Sequence, residues 1–456
     1  MRCSRRSRVC GSRATRLIIC ASIVAAAPAT AQEPSTGAMD VFAGASVGTA
    51  RGPLSSPMGG RHAQLGEWSV MAHGSLSLNT RWDPAPRGEA STYFTNMIGA
   101  SARRRAGAGW FELRAMASAE PAMGARGYSL LLQTGETADG INPLVDRQHP
   151  HDILMELSGS FRFEIDPDAW LFMYLAPVGS PALGPVPFMH RASGGENPVT
   201  PISHHFLDAT HIAYGVATIG LYVDRRIQLE VSYFNAREPD QKRWVPEVPK
   251  PNSFSTRLTI TPGRNWAIQG SFADLKEPEQ LHPAIDLYRM TLSATHHREL
   301  SRGFWSTTLA LGQNKRPETT MPLGEARARL PAPILNHYLN VGSLPPGADD
   351  SLLLLFERRT QSAVLLESAL EWAQTTGFFR YESARKDELF PPTDLRHSEL
   401  FTVRKLNVGL LRDFDLGGDL KLGLGGTASV HSVPGALQTE YGNRPISYML
   451  FTRVKL

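Results

Sequence analysis

Residues 153–164 of the chain read ILMELSGSFRFE, and this stretch alternates between two kinds of side chain. Leu157 and Phe163 are apolar, whereas Glu156 and Arg162 stand at positions of the opposite parity. Successive side chains of a β-strand point to opposite faces of a sheet. The stretch therefore predicts a strand with one apolar and one polar face. A soluble β-sandwich shows the same alternation, so the period alone does not decide the class of fold.

The alternation recurs along the chain in sixteen segments. They cover residues 67–80, 93–105, 109–118, 153–165, 169–177, 211–222, 226–236, 253–261, 265–274, 286–298, 303–313, 361–372, 376–382, 400–412, 419–431 and 446–456. Short and long connections alternate between the segments, which is typical of outer-membrane barrels. We therefore predict an all-β fold, a closed antiparallel transmembrane β-barrel of about 16 strands with short periplasmic turns and long outer loops. The alternative is a secreted all-β protein such as a propeller, but the chain lacks the blade repeat expected of one.

The first 31 residues have the form of a signal peptide. An arginine-rich start leads into the apolar run LIICASIVAAA, and ATA at 29–31 suits cleavage after a small residue. Residues 32–66 are rich in Gly, Ala, Ser and Pro and predict a flexible lead-in, after which residues 67–456 form the barrel. We therefore expect export to the cell outer membrane, with membrane lipid as a partner.

The cysteines and the positive charge both belong to the predicted signal peptide. Cys3, Cys10 and Cys20 all lie within it, so disulfides, thiolate metal sites and cysteine nucleophiles are excluded from the mature chain. Removing its six arginines lowers the formal charge from +4 to −2, which removes the argument for nucleic acid as a partner. No mature segment has 18 consecutive apolar residues, so transmembrane helices are not expected.

Histidines crowd two of the predicted outer loops, in the sequences VDRQHPHD (145–152), PFMHR (187–191) and PISHHFLDATH (201–211). The loops that precede strands 4 and 6 end two strand spacings apart, about 10 Å, so their side chains can converge at the rim. Imidazole with carboxylate suits a transition metal such as copper or zinc. The predicted ligands are His149, His151, Asp152, His190, His204, His205, Asp208 and His211.

The same residues allow other interpretations. They can be structural rim residues that hydrogen-bond within folded loops. They can also serve a hydrolase, since Ser203 stands beside His204 and Ser158 could pair with His151, but no GxSxG, HExxH or phosphate loop is present. The sequence therefore favours a channel or binding barrel for a small solute or metal ion. The alternatives are an outer-membrane hydrolase and a structural or adhesive barrel without a ligand.

A second polar set is predicted inside the barrel. By parity, Met71 and His73 of the first strand, Met97 of the second and Met116 of the third face inward on neighbouring strands. Thioether and imidazole together form a soft ligand set that favours copper(I). Methionine also fills irregular gaps without binding anything, and the sequence favours this second interpretation.

The motifs DRQHPHD, FMHR and PISHHFLDATH, together with FNAREPDQ, resemble an uncharacterised group of proteobacterial outer-membrane-type β-barrel proteins. The resemblance covers about residues 69–300. That group has no assigned activity, so the resemblance implies an exported barrel and says nothing about its ligand.

Overall fold

The computed structural model describes residues 42–456, except 58, 85, 210–211, 284, 342–351 and 357. The signal peptide predicted for residues 1–31 lies outside the described residues, as does the start of the predicted lead-in. Among the described residues, no helix is long and apolar enough to cross a membrane.

Sixteen antiparallel strands of the described chain form one sheet that closes on itself. The strands are β1 (Trp68–Trp82), β2 (Ala90–Ala106), β3 (Gly109–Ala117), β4 (Leu154–Asp166), β5 (Ala169–Gly179), β6 (Ala213–Val223), β7 (Ile227–Asn235), β8 (Ser253–Gly263), β9 (Trp266–Leu275), β10 (Leu287–Leu300), β11 (Gly303–Arg316), β12 (Arg359–Trp372), β13 (Thr375–Lys386), β14 (Phe401–Gly417), β15 (Leu420–Ser432) and β16 (Ile446–Lys455). Each strand pairs with the next, and β1 pairs with β16 from Ser75 opposite Lys455 to Trp82 opposite Tyr448. The predicted closed barrel is confirmed, and every predicted segment overlaps one strand.

The wall of the barrel is apolar outside and polar inside. In β7, Leu229 is 51% exposed and Val231 is 49% exposed, whereas the intervening Glu230 is 1% exposed. Soluble proteins bury most of their large apolar side chains and rarely expose a contiguous apolar surface of this extent. An outward apolar band with a polar interior is instead the arrangement of a barrel surrounded by lipid. The alternation seen in the sequence therefore has the orientation of a membrane barrel, which a sandwich or propeller would reverse.

The connections differ at the two ends of the barrel as predicted. Seven turns of at most three residues join β2 to β3, β4 to β5 and each later pair in the same order. The loops at the opposite end are longer and contain elements of their own. Their strands are Tyr128–Thr137 with Pro143–Gln148, and Thr319–Pro322 with Leu352–Phe356. At the short-turn end, a further strand, Arg61–Leu65, precedes β1 and folds back on its start. Their helices are α1 (His204–Leu207), α2 (Leu323–Arg329), α3 (Ala332–Asn340) and α4 (Gln438–Tyr441), with 3-10 turns at Glu120–Met123, Phe188–His190, Leu395–Ser398 and Gly435–Leu437.

The loop between β5 and β6 folds into the lumen, and its residues 180–209 are called the inner loop below. Asn197 donates its side-chain amide to Asn407 of β14 at 2.9 Å, and Ser193 hydrogen-bonds to Thr308 of β11 at 2.7 Å. Glu196 forms ion pairs with the β16 strand. The inner loop is therefore anchored to the wall over several strands and fills much of the lumen.

Residues 42–57, called the N-terminal segment below, also lie inside the barrel. Arg51 donates its Nε to Gln228 at 3.0 Å, and Gln228 donates its side-chain amide to the carbonyl of Thr49 at 2.8 Å. Phe42 is buried and packs edge-on against Trp110. The structure thus differs from the flexible lead-in predicted for residues 32–66 wherever it describes that segment. The composition suits a solvated linker, but the lumen offers partners for its few aromatic and charged side chains.

Candidate metal centre

Three of the predicted ligands meet at the loop end of the barrel. One ligand atom from each of His149, His204 and His205 lies within 4.8 Å of the other two. His149 follows directly after the loop strand Pro143–Gln148, and the other two histidines open α1. Two outer loops that are distant in sequence therefore contribute to one cluster, as the topology of β4 and β6 predicts.

The short helix α1 is fixed by the barrel wall. Ser203 precedes it and donates both its backbone N–H, at 3.0 Å, and its hydroxyl, at 2.7 Å, to Glu382 of β13. His204 and His205 follow, with their ring centroids 4.0 Å apart and nearly perpendicular. A helix of four residues has little stability of its own. The Glu382 carboxylate therefore supplies the anchor that orients the two imidazoles.

Glutamine and glutamate side chains surround the imidazoles. The Nε2 atom of His149 lies 3.1 Å from Oε1 of Glu136. The Nε2 atom of His204 lies 2.7 Å from the side-chain amide nitrogen of Gln133 and 3.2 Å from Oε1 of Gln148. Partners of this kind fix the ring orientation and tautomer of metal-binding histidines. The cluster therefore has both candidate ligands and the groups that would orient them.

A glycine lets the loop backbone approach the third imidazole. Gly135 has a φ of 109°, a conformation that other residues rarely adopt. A Cβ atom at this position would lie 2.5 Å from Cε1 of His205. Any larger residue would therefore displace the ring, and Gly135 contributes to the shape of the site.

Burial keeps His149 in the protonation state that binds metal. Desolvation lowers the pKa of His149 well below its usual value, and the positive charge of Arg243 adds to the shift. Burial raises the pKa of Glu136, although Arg243 forms an ion pair with it and acts in the opposite direction. Neutral imidazole is the form that coordinates a metal ion. Three imidazoles with a nearby carboxylate suit zinc or copper(II).

A small cavity lies between this cluster and a second group of candidate metal ligands. The cavity has a volume of about 60 Å³ and is lined by His205, Glu136 and Glu238 on one side. On the other side are Glu279, His282 and Glu388, whose ligand atoms also lie within 4.8 Å of one another.

An arginine occupies the second group. Arg316 lies 2.5 Å from Glu279, 3.3 Å from Asp387 and 3.9 Å from Glu388. Its guanidinium already compensates the carboxylates, so a metal ion here would meet a positive charge. The three-histidine cluster is the better metal centre.

The structure places the other predicted ligands elsewhere. His151 lies 2.8 Å from the carboxylate of Glu120. Asp152 accepts a hydrogen bond from the hydroxyl of Tyr214 at 2.9 Å and pairs with Arg243 at 3.3 Å. These contacts hold the loop end together, which corresponds to the structural interpretation of the rim residues.

The remaining three predicted ligands lie outside the centre or outside the described chain. Asp208 pairs with Arg191 at 3.5 Å, and its backbone carbonyl accepts a hydrogen bond from Arg289 at 3.0 Å. His190 lies deeper in the lumen, where its ring is close to that of His73. His211 lies outside the described residues. Arginines from distant parts of the chain occupy the carboxylates, and sequence spacing does not reveal such partners.

Sequence reasoning missed the groups around the imidazoles. Gln133 and Glu136 lie in the same loop as VDRQHPHD but outside that motif, and Glu238 lies in the loop between β7 and β8; no spacing in the sequence links them to His149. Ser203, one of the two nucleophiles considered for a hydrolase, donates its hydroxyl to Glu382. Ser158 donates its hydroxyl to Glu156 at 2.8 Å. Neither bond directs a serine proton to a histidine.

Comparison with known proteins finds similarity in architecture alone. A search among family models finds no match for the chain. A search among curated proteins likewise finds no match. Solved structures that resemble it include a porin refined at 1.8 Å, with 11% identity, 85% of this chain and 100% of that chain covered, and a TM-score of 0.41. They also include Salmonella typhi OmpF in complex with daunomycin, with 7% identity, 87% of this chain and 100% of that chain covered, and a TM-score of 0.49.

The outer-membrane channel DcaP of Acinetobacter baumannii is a third similar structure, with 7% identity, 88% of this chain and 100% of that chain covered, and a TM-score of 0.45. These TM-scores are all below 0.5, so the fold described above rests on the strand pairing and the apolar outer face of the protein itself.

Proposed function

We propose that the protein is an outer-membrane binding barrel that holds a divalent transition-metal ion, zinc or copper(II), at its loop end. His149, His204 and His205 would be the ligands, and Glu136 would orient His149. The observation that carries the proposal is the approach of three imidazoles, two buried and one half-buried, whose ligand atoms lie within 4.8 Å of one another. The apolar outer wall and the predicted signal peptide support the location in the outer membrane.

The filled lumen favours binding over open diffusion. The inner loop and the N-terminal segment both occupy the interior of the barrel. A channel for a small solute would need the inner loop to move. Neither serine predicted for the hydrolase alternative, Ser203 or Ser158, donates its hydroxyl to a histidine. Capture of a metal ion at the loop end needs no such movement.

Metal analysis of the purified protein in detergent tests the proposal. The wild-type chain should bind one zinc ion, and the variant His149→Ala/His204→Ala/His205→Ala should bind none. A matched control is His337→Ala/His397→Ala, which removes two other histidines whose rings lie 5.0 Å apart in different loops. The control should keep the wild-type stoichiometry.

A conservative variant separates loss of ligands from loss of folding. Glu136→Gln keeps the shape of the side chain and removes the carboxylate that contacts His149. Loss of such an orienting group lowers metal affinity by roughly 10–100-fold. Equal zinc binding by the wild type and a folded triple variant would overturn the proposal, and heat-modifiable gel mobility would report whether each barrel is folded.

A further inference from the structure

The half of the lumen nearer the short turns contains a second cavity, of about 300 Å³. Soft side chains contribute to its wall from both the barrel and the inner loop. They are Met71, His73, Met97, Met116, Met189 and His190. This cavity is separate from the metal centre at the loop end, because none of His149, His204 and His205 lines it.

Two of these side chains belong to one row across three neighbouring strands. His73 of β1 stands opposite Gly99 of β2, and Gly99 stands opposite Met116 of β3. A Cβ atom at Gly99 would lie 2.5 Å from Nε2 of His73. The imidazole therefore lies across the glycine and extends toward the strand that carries Met116.

The inner loop supplies a second thioether and a second imidazole. Met97 and Met189 are half-buried and pack against the apolar cluster that contains Met116. His190 presents its ring edge-on to His73, with the ring centroids 6.0 Å apart. The centroid of an imidazole lies roughly 3 Å from a metal ion bound to one of its nitrogens, so one ion can lie between two rings at this distance.

Both imidazoles are available for a ligand. Within the described residues, no hydrogen bond joins the imidazole of His73 or of His190 to a protein group. Other buried histidines of the loops are engaged, since His337 contacts Ser398 at 2.8 Å and His397 contacts the carbonyl of Phe390 at 2.7 Å.

The charges around the cavity select against a highly charged ion. Arg114 pairs with Glu112 at 3.0 Å, and Lys455 pairs with Glu196 at 2.5 Å. The thioether and imidazole ligands are themselves neutral. Basic groups outnumber acidic ones in the cavity wall, which carries Glu112, Glu156 and Glu196 against Arg51, Arg103, Arg114, Arg191, Arg453 and Lys455. A divalent ion would therefore add two charges to an already positive surrounding, whereas a monovalent ion adds only one. Thioether ligands also prefer soft ions such as copper(I).

We propose that this cavity binds copper(I) through His73, His190 and the thioethers of Met97, Met116 and Met189. The site is distinct from the centre at the loop end and does not depend on it. Its ligands come from β1, β2, β3 and the inner loop, so a bound ion would also fasten the inner loop to the wall. Methionines that only fill space would show no affinity for a soft ion.

Competition with a chromophoric copper(I) chelator, under reductant and without oxygen, tests the site on the full barrel in detergent. The wild type should bind one copper(I) ion, and X-ray absorption should show sulfur and nitrogen neighbours. Met97→Leu/Met116→Leu keeps apolar volume and should lower copper(I) affinity at least 10-fold. The control Met173→Leu/Met290→Leu removes two outward-facing methionines, 51% and 40% exposed, and should bind like the wild type.

Measuring zinc and copper(I) binding by both variants distinguishes the two sites. The triple variant at the loop end should keep copper(I) binding and lose zinc, while Met97→Leu/Met116→Leu should keep zinc. No copper(I) binding by the wild type would overturn the proposal. Wild-type affinity in the folded Met97→Leu/Met116→Leu variant, or loss of copper(I) only in the loop-end variant, would do the same.

Discussion

Arg191 of the inner loop donates its Nε to Oε1 of Glu367 on β12 at 2.8 Å, although the two residues are 176 positions apart. Both side chains are almost fully buried, and Arg380 of the neighbouring strand donates to the second oxygen of Glu367 at 2.8 Å. A buried charge is tolerated only when it is paired and hydrogen-bonded. The ion pair therefore holds the inner loop to the wall at a buried point. If one partner were removed, water could not take its place.

Loss of the ion pair between Arg191 and Glu367 should loosen the inner loop. Arg191→Ala removes the pairs with Glu367 and Asp208, but Arg380 still neutralises Glu367 and the strand pairing is untouched, so the barrel itself should stay folded. Breaking a buried ion pair costs roughly 3–5 kcal/mol, and here the cost arises mainly from Asp208, which loses its partner. We expect larger single-channel conductance in planar bilayers than for the wild type. Arg225→Ala is the control, because its pair with Asp168 is exposed on a turn.

Conductance that is unchanged in Arg191→Ala would show that the inner loop keeps its place without this ion pair. It would also count against the solute-channel alternative, which requires the loop to leave the lumen.

Charge on the outer face should destabilise the barrel far more than charge on the inner face. Leu229→Arg places a guanidinium in the lipid-facing band and should cost roughly 2–4 kcal/mol. Thr295→Arg places one beside the cavity of the lumen, where a polar wall surrounds it, and should cost less. Urea-unfolding midpoints in lipid vesicles measure the difference. Equal losses would mean that the outer face is not in contact with lipid.

The ion pairs of Glu196 should make stability depend on pH in the acid range. Burial opposes ionisation of Glu196, but the charges of Lys455 and Arg453 outweigh it and lower the pKa of this carboxyl. A carboxyl whose pKa is lower in the folded state stabilises the fold above its unfolded pKa, near 4.5. That contribution disappears as the pH falls through the folded pKa.

Glu196→Gln should therefore lower the free energy of unfolding at pH 7, by about 1–3 kcal/mol as expected for a lost charge-assisted hydrogen bond. The difference from the wild type should shrink steadily below pH 4.5. Glu89→Gln serves as the control, because its contact with Arg147 is half exposed. A difference that stays constant down to strongly acidic pH would contradict the assignment.

Gly99 should be sensitive because of the ring that lies over it. Gly99→Ala would place a methyl group 2.5 Å from Nε2 of His73 and force the imidazole away from Met116. We expect weaker copper(I) binding, with the strand pairing of β1 and β2 retained. Gly270→Ala is the matched control, since a Cβ there would meet nothing within 4 Å. Equal copper(I) affinity in the two variants would argue against His73 as a ligand.

The fold could be predicted because a membrane barrel repeats one physical rule along its whole length. Each strand has an apolar and a polar face, and the connection lengths show which ends lie together. The rule failed locally at Met155, which the alternation assigns to the outer face. A bulge in the pairing of β4 with β3 turns this side chain inward, and it is buried. Bulges depend on packing partners and leave no simple trace in sequence.

The metal centre could be predicted only in part. Strand order is enough to bring His149 near His204, because it fixes which loops are neighbours. It cannot show which carboxylates are already engaged. Asp152 and Asp208 are paired with arginines that lie 91 and 17 positions away, and such partners are set by the folded path of the loops.

The two segments that fill the lumen impose an order on assembly. Arg51 must reach Gln228, 177 positions away, and Thr49 must reach Arg257, 208 positions away, yet both lie inside a wall that is sealed only when β1 meets β16. Contacts between distant positions carry a larger loop-closure entropy and form late. We expect the inner loop and the N-terminal segment to reach their places on the open sheet before β1 pairs with β16. The pairing of β1 with β16 must then wait for them, and this step limits the rate of folding. Deletion of residues 42–57 should then speed the appearance of the folded band when the chain is transferred from urea into micelles.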